Sequence, residues 1–432
     1  MEIKLKFINF LFVIFPLMFF MPNVYLSMYI GIFLIVSFFF FYEKKIKIKF
    51  TFLDWLLLFL LISSLISTLI NINNLGNFLL IKSILDFKFL LLFLVIRKLI
   101  FYKLVNLKLL FLIIFICTIS LSMDIFIQHI NKKNIFGFEP FDGRYNGFFE
   151  HEAIAGGYLQ KFSVFALIYI LTLNTKNKSA LILLTIIIIG SGIILSLDRM
   201  PFIAFFFLII VLLILVRNLR KTFFLGMVCL IFIFTFLFTN FEPVKSRYTG
   251  LKNEINFNKI FDDNKKNYTQ KIDNNLLEKL ELNINKILIG DYYRIYKSAF
   301  TLWAENNILI GSGTRSFSKI CNIKIKDNTN LICTTHPHNM YLEIMFNQGI
   351  MGLFLFLTFL ISLIFILTKG LLSKYKNNYT INFLFLSFVI VEFLPFRSYG
   401  SIFSNVNGSI FWYIMALCSS INYIKNALIL KY

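Results

Sequence analysis

The chain has 432 residues, 58% hydrophobic, 18% aromatic and only 15% charged, with a formal net charge of +21. A soluble domain is nearer half apolar and a quarter charged, so an ordinary soluble fold is excluded. Apolar runs of about 18 residues or more, each enough to cross a bilayer core of roughly 30 Å, recur along nearly the whole length, whereas a membrane β-barrel would show short alternating segments.

The excess of cations does not point to nucleic acid. The lysines sit in short connectors between apolar runs, where the positive-inside rule places them, and the richness in Lys, Asn, Ile and Phe reads as compositional bias. Residues 7–21, with Lys4 and Lys6 ahead of them, have the outline of a signal peptide. No small-residue cleavage site follows and another apolar run begins almost at once, so an uncleaved first helix is expected. Further spans are expected near 24–42, 52–70, 78–96, 107–127, 153–173, 179–197, 201–216, 222–239, 346–368, 380–396 and 408–424. The fold class is therefore all-α, a polytopic bundle of about twelve transmembrane helices with a large outer loop domain between the ninth and tenth. Its expected segments are 1–127, 128–239 (with the outer loop 128–152), the loop domain 240–345 and the C-terminal helices 346–432.

Charge then orients the bundle. The connectors at 43–49, 97–103, 174–179, 217–221 and 369–376 are basic, while "NINNLGN" at 71–77 carries no cation. Both termini and the basic connectors are thus expected in the cytoplasm. Three outer connectors stand out: 128–152, the tight turn 196–201, and the stretch of about a hundred residues at 240–345. The first half of that stretch is polar. In its second half, Ile295, Ala299, Leu302 and Trp303 recur at helical spacing while Arg294, Lys297 and Thr301 line another face. This predicts an amphipathic helix on the membrane surface, followed by a Gly-rich loop. No internal repeat is visible, although many transporters are built from inverted halves.

Five cysteines are present. Cys117, Cys229 and Cys418 fall within spans, where they read as packing residues. Cys321 and Cys333 both fall in the outer loop, and in an oxidising compartment a disulfide between them is expected. The same topology places Arg144, Arg199, Arg294, Arg315, His336 and His338 on the outer face. Arginine at a span edge suits phosphate, because its guanidinium offers a planar fork of donors that stays charged. Arg199 is the sharpest case, since an arginine facing hydrocarbon costs up to about 3 kcal/mol; the alternative is snorkelling to lipid headgroups. His338, in the first turn of a span, would be kept neutral by the positive helix end, as a general base must be; the alternative is a solvated loop residue. His336 and His338 with Asp262 and Asp263 could compose a metal site, but no HxxxH or HExxH spacing exists, and neither metal nor cofactor is expected. "GSGT" at 311–314 lacks the Walker ending and is either an anion cradle or a plain turn. Leu342, Met345, Gly349 and Gly352 continue one helix face, with the glycines expected to allow close helix packing.

The segment "HNMYLEIMFNQGIMG" resembles the H-[NSQ]-x9-G-x-x-G core of the O-antigen ligase and polymerase family through His338, Asn339, Gly349 and Gly352. The two threonines often found after that glycine are Leu353 and Phe354 here. "RYNGFFEHEAIAGGYL" is similar to the family's "R-x-x-G-x-F…G-x-Y-L", "LSLDRMPFIAF" to its "S-x-x-R" span end, and "NGSIFWYIMAL" to its last helix. The resemblance implies an inner-membrane glycosyltransferase that needs no metal. Such an enzyme moves a glycan from undecaprenyl diphosphate to a periplasmic hydroxyl: a lipid A core sugar in ligases, another carrier-linked unit in polymerases, a protein in related oligosaccharyltransferases. On that reading His338 is the base or acceptor-orienting group. Arg144, Arg199 and Arg294 bind the diphosphate, and His336 and Asn339 support them. A single large late loop favours a ligase. The rival from another class is a transporter of the same lipid-linked glycan, for which Lys82, Asp86 and Lys88 in the fourth span are the main support.

Overall fold

The computed structural model describes residues 2–150, 152–254, 290–325, 331–372, 379–395 and 397–429. Among them there are no strands, only one isolated bridge between Phe141 and Arg144. Helices cover every apolar run: α1 (Glu2–Met18), α2 (Asn23–Glu43), α3 (Phe52–Ile70), a single turn α4 (Ile72–Leu75), α5 (Asn77–Leu85), α6 (Phe87–Phe101), α7 (Leu107–Asn131), α8 (Ala155–Thr172), α9 (Lys178–Leu195), α10 (Arg199–Leu215) and α11 (Arg220–Asn240). Beyond them come α12 (Glu242–Glu254), α13 (Gly290–Ala304), α14 (Phe317–Lys324), α15 (Met340–Leu372), α16 (Tyr379–Glu392), α17 (Asn405–Ser419) and α18 (Ile421–Ile429). Six described helices are long and apolar enough to cross a membrane by length and composition, namely α2, α3, α7, α9, the stretch ending in α11, and α15. The expected fourth and twelfth spans are each two helices in the structure, interrupted at Asp86 and Ser420.

Helix α3 defines the two ends of the bundle. It starts at Thr51, whose backbone N–H donates to Asp54 Oδ2 at 2.6 Å in a capping box, and Arg97 pairs with the same carboxylate. Basic connectors gather at that end: Lys98 donates to the Lys49 carbonyl at 2.5 Å and Tyr102 to that of Lys47 at 3.2 Å. A 19-residue helix is about 28 Å long, and at its far end Asn71 donates to the Gly311 carbonyl at 3.2 Å. Ser64 bonds Thr314, and Ser67 donates to the Asn347 carbonyl at 2.8 Å. The long loop and the basic connectors thus occupy opposite ends of α3.

Helix α15 is broken where a continuous face was expected. Gly349 has φ 68° and ψ −165°, a conformation that only glycine adopts freely, and a Cβ there would lie 2.2 Å from the Leu309 carbonyl oxygen. The break lets the chain at 308–313 lie in the helix. Ile350 N–H donates to Ile308 O at 3.0 Å, Ser312 N–H to Phe346 O at 2.8 Å, and Gly313 N–H to Asn347 O at 3.0 Å. Gly349 is therefore a helix break that seats the Gly-rich loop, not a site of helix–helix packing.

Helix α13 differs from expectation too. Its apolar residues Ile295, Ala299, Leu302 and Trp303 are buried as the periodicity requires. What covers them is protein: Ala299, Leu302 and Trp303 share a small core with Phe317, Cys321, Leu331, Met345 and Phe346. Covalent closure brings this core together, since Cys321 and Cys333 are bonded with Cα atoms 5.5 Å apart. The amphipathic face is spent on a mini-domain above the bundle rather than on lipid.

Candidate functional site

Two side-chain clusters are linked through α8. The first assembles around Asp198, the N-cap of α10. Its Oδ2 accepts the Gly156 N–H at 3.1 Å and its Oδ1 accepts Arg144 Nη1 at 2.9 Å. That approach requires glycine, because a Cβ on Gly156 would stand 2.6 Å from Ser196 Oγ and 2.8 Å from Asp198. Arg199 Nε donates to the Arg247 carbonyl at 2.8 Å, and Arg247 Nε donates back to the Leu197 carbonyl at 3.3 Å. Arg144, Arg199 and Arg247 are thereby gathered about one buried carboxylate, with Asp142 at 3.6 Å from Arg144 on the exposed side. Burial pushes the Asp198 carboxyl up to about 6, against the pull of Arg144. Burial and the neighbouring guanidiniums of Arg144 and Arg199 lower the Arg247 pKa, which is the mark of cations held close together. Arg144 Nε and the Tyr248 hydroxyl are buried and donate to nothing among the described residues.

The second cluster is the histidine pair. The rings of His336 and His338 lie with centroids 4.1 Å apart, tilted by 48°. His338 is not in the first turn of the helix: α15 begins at Met340 and Asn339 is its cap, its Oδ1 accepting the N–H groups of Tyr341 at 3.0 Å and Leu342 at 3.1 Å. Asn339 Nδ2 donates to the Pro395 carbonyl at 2.6 Å, so both ends of that amide are used in fixing the chain beside His338. His338 itself has φ 55°, a left-handed conformation that costs roughly 1–2 kcal/mol outside glycine. Two donors on its carbonyl hold it there, Tyr399 N–H at 2.7 Å and Tyr296 Oη at 3.4 Å. Strain maintained by its surroundings is a recurrent feature of functional positions.

Both imidazoles are neutral, for a reason other than the helix end. Burial lowers the His338 pKa to about 4, with the adjacent His336 contributing; burial likewise lowers that of His336. His336 Nε2 lies 3.3 Å from the Tyr399 carbonyl oxygen, which only accepts, so Nε2 carries the proton and Nδ1 accepts from the Thr335 hydroxyl at 2.9 Å.

A buried polar network joins the two clusters. Arg397 donates to Glu392 Oε2 at 2.7 Å and to Gln160 Oε1 at 2.7 Å. The Tyr399 hydroxyl donates to Glu392 Oε1, and Lys161 Nζ lies 4.0 Å from that oxygen and 4.5 Å from the Tyr399 ring. Gln160 is one helical turn from Gly156, so α8 carries the contact to Asp198 and the contact to Arg397 about 6 Å apart along its axis. The path Asp198–α8–Arg397–Tyr399–His338 is continuous.

Of the residues expected at the site, Arg144 and Arg199 meet in one cluster, and His336, His338 and Asn339 in the other. Arg294 is separate: its helix reaches His338 through Tyr296, but Arg294 is exposed on another face of α13. Asp262 and Asp263 lie outside the described residues, and among those described no group of three or more His, Cys, Asp or Glu is placed to hold a metal ion. Sequence reasoning missed Arg247, Arg397, Glu392, Lys161 and Tyr399. For Lys161 and Glu392 a signal existed, since ionisable residues inside an apolar span are functional candidates by default. Arg247 sits in a polar stretch with many cations and carries no such mark.

The family model described as O-antigen ligase matches residues 184–357, a range that holds Arg199, Arg247 and both histidines of the pair. No curated protein matches the chain.

Proposed function

We propose, from the match of residues 184–357 to the family model described as O-antigen ligase, that this chain is an inverting glycosyltransferase of the bacterial inner membrane. It moves a glycan from undecaprenyl diphosphate to a hydroxyl of the lipid A core, with its site facing the periplasm in a twelve-span bundle. The observation that carries the proposal is the neutral, backbone-clamped histidine pair joined through α8 to three arginines around one carboxylate. The arginines take the diphosphate. Arg144 Nε and the Tyr248 hydroxyl, which have no acceptor among the described residues, match the oxygens of such a group.

The acceptor hydroxyl oxygen attacks the anomeric carbon, and its proton passes to His338. The bond from that carbon to the phosphate oxygen breaks, and undecaprenyl diphosphate leaves with the electron pair while the arginines stabilise its growing charge. Positioned base catalysis is worth roughly 10²–10⁴-fold. In-line attack inverts the anomeric carbon. His336 holds the second imidazole in place through its own bonds to Thr335 and Tyr399. Arg294 is assigned to the incoming glycan rather than to the diphosphate, in keeping with its exposure.

The glycan profile of a deletion strain tests the reading. Loss of long polymer from lipid A, with carrier-bound chains accumulating, is the expected result. Lipid A capped by single repeat units would make the chain a polymerase. An unchanged profile would end the proposal.

A further inference from the structure

A third group of charges lies at the same end of the bundle, and the transfer reaction leaves it without a role. Asp86, 1% exposed, sits at the interruption between α5 and α6. It pairs with Arg315 Nη2 at 2.6 Å, and the same guanidinium donates to the Phe403 carbonyl. Lys82 and Lys88 both act on Asp86 electrostatically, yet each is engaged elsewhere: Lys82 Nζ lies 4.2 Å from the Phe78 ring centre and Lys88 donates to Asn405 Oδ1 at 2.7 Å. One further carboxylate, Glu343, lies near and is spent on Ser401 and the Ile402 N–H. Lys82 and Lys88 flank a helix interruption in an apolar stretch, where ionisable side chains are costly unless they serve a ligand or a partner. Arg315 Nε is buried without an acceptor among the described residues, so one donor of the group is left open to a ligand oxygen.

Its position relative to the histidines follows from one short segment. Arg397 faces α8, Tyr399 clamps His338, Phe403 accepts from Arg315, and Asn405 accepts from Lys88. Phe403 is four positions beyond Tyr399, at most about 14 Å even if fully extended. One short segment, 397–405, therefore touches the α8 network, the histidine clamp and the Lys88 and Arg315 side chains in turn. On α5 the neighbouring Phe78, Ile81, Ile84 and Leu85 are exposed. A ligand reaching these cations along α5 meets apolar side chains first, which suits a phosphate carried on a hydrocarbon chain.

We infer that Lys82, Lys88 and Arg315 form a second lipid-phosphate site, which holds the phosphate of the acceptor lipid while the Arg144, Arg199 and Arg247 cluster holds that of the donor. The inference rests on the transfer reading given above. The ligand is a phosphate or diphosphate monoester of a lipid, and two sources fit: a second isoprenyl carrier, or a phosphorylated acyl glycolipid.

Binding is measured on the full chain in phosphatidylcholine nanodiscs by native mass spectrometry and titration, with farnesyl diphosphate and a synthetic acylated glucosamine disaccharide 1-phosphate as probes. K82Q/K88Q should weaken one phosphate-binding event by about tenfold or more, leaving the other intact as the internal sign of folding. K82R/K88R, which keeps the charges, should bind as wild type does. Two farnesyl diphosphates on wild type and one on K82Q/K88Q would identify the acceptor as a second carrier lipid. A single farnesyl diphosphate on both, with glycolipid phosphate binding lost from K82Q/K88Q, would identify a glycolipid. Wild-type stoichiometry and affinity of K82Q/K88Q for both probes would overturn the inference. Because the readout is binding, a wild-type protein that binds two phosphates but transfers no glycan would count against the transfer reading alone.

Discussion

The two arginine-bearing clusters that α8 links are alike in composition and opposite in setting. Around Asp198, the Arg144 side chain is 24% exposed, and Arg199 and Arg247 are half-buried. Around Glu392, Arg397 and Lys161 are sealed, with side chains 5% and 7% exposed. Both clusters hold more cations than carboxylates. What separates them is access: an open group of guanidiniums meets a ligand, whereas a sealed one acts only through what it holds in place. Here the sealed cluster holds Tyr399, and Tyr399 holds His338.

The largest effect should come from breaking the sealed cluster. Glu392→Gln leaves Arg397 and Lys161 buried without a carboxylate, and stripping one partner from a buried ion pair costs about 3–5 kcal/mol. Thermal unfolding in detergent should drop sharply, while Arg199→Gln in the open cluster, which leaves Asp198 its bond to Arg144, should unfold near wild type. Equal stability of the two variants would erase the distinction. Next in size is the Cys321–Cys333 bond, which closes the mini-domain over the histidines. Opening a loop of this length costs about 3 kcal/mol in the chain-entropy model, so reduction should loosen the site. Mass spectrometry of non-reduced peptides should find the two cysteines linked, and alkylation of both without reduction would refute it.

Smaller still is Arg199→Lys. It keeps the charge but loses the planar fork, and one charge-assisted hydrogen bond is worth about 1.5–3 kcal/mol, so transfer should fall roughly ten- to a hundredfold. Full activity of the lysine variant would reduce Arg199 to a source of local potential. The mildest effect is that of pH. A base works only deprotonated, and His338 titrates at about 4 instead of the usual 6.5. Turnover should be flat from neutrality down to about pH 5 and fall as the pH nears 4. A decline centred near 6.5 would mean a solvated imidazole, or titration of Asp198, which Asp198→Asn would separate.

How much of this was legible in the residues depends on what writes each feature. Long apolar runs announce helices on their own, and the coincidence of scarce Arg144, Arg199, His336 and His338 on one side of the charge pattern singles out residues that the structure gathers into two clusters. Interruptions were not legible. Gly349 reads as a packing glycine until the Ile308–Gly313 strand of chain is seen lying in its helix, because the partner is forty residues away in sequence. The interruption at Asp86 likewise leaves no periodic trace. Lys82, Asp86 and Lys88 looked like a sparse transport pathway because Arg315, which joins them, comes from a distant loop. From the sequence the neutrality of His338 reads as a helix-end effect, whereas its cause is burial beside a second imidazole. Periodicity reports local structure; long-range polar partners leave no local signal.

The central claim is that His338 takes the acceptor proton while the sealed cluster only positions it. The most direct measurement is transfer by purified His338→Ala, reconstituted with a carrier-linked glycan and lipid A core acceptor, alongside His336→Ala and wild type. The account predicts that His338→Ala loses about 10²–10⁴-fold in turnover with expression and thermal unfolding unchanged, and that His336→Ala is milder. Wild-type turnover by His338→Ala would contradict it.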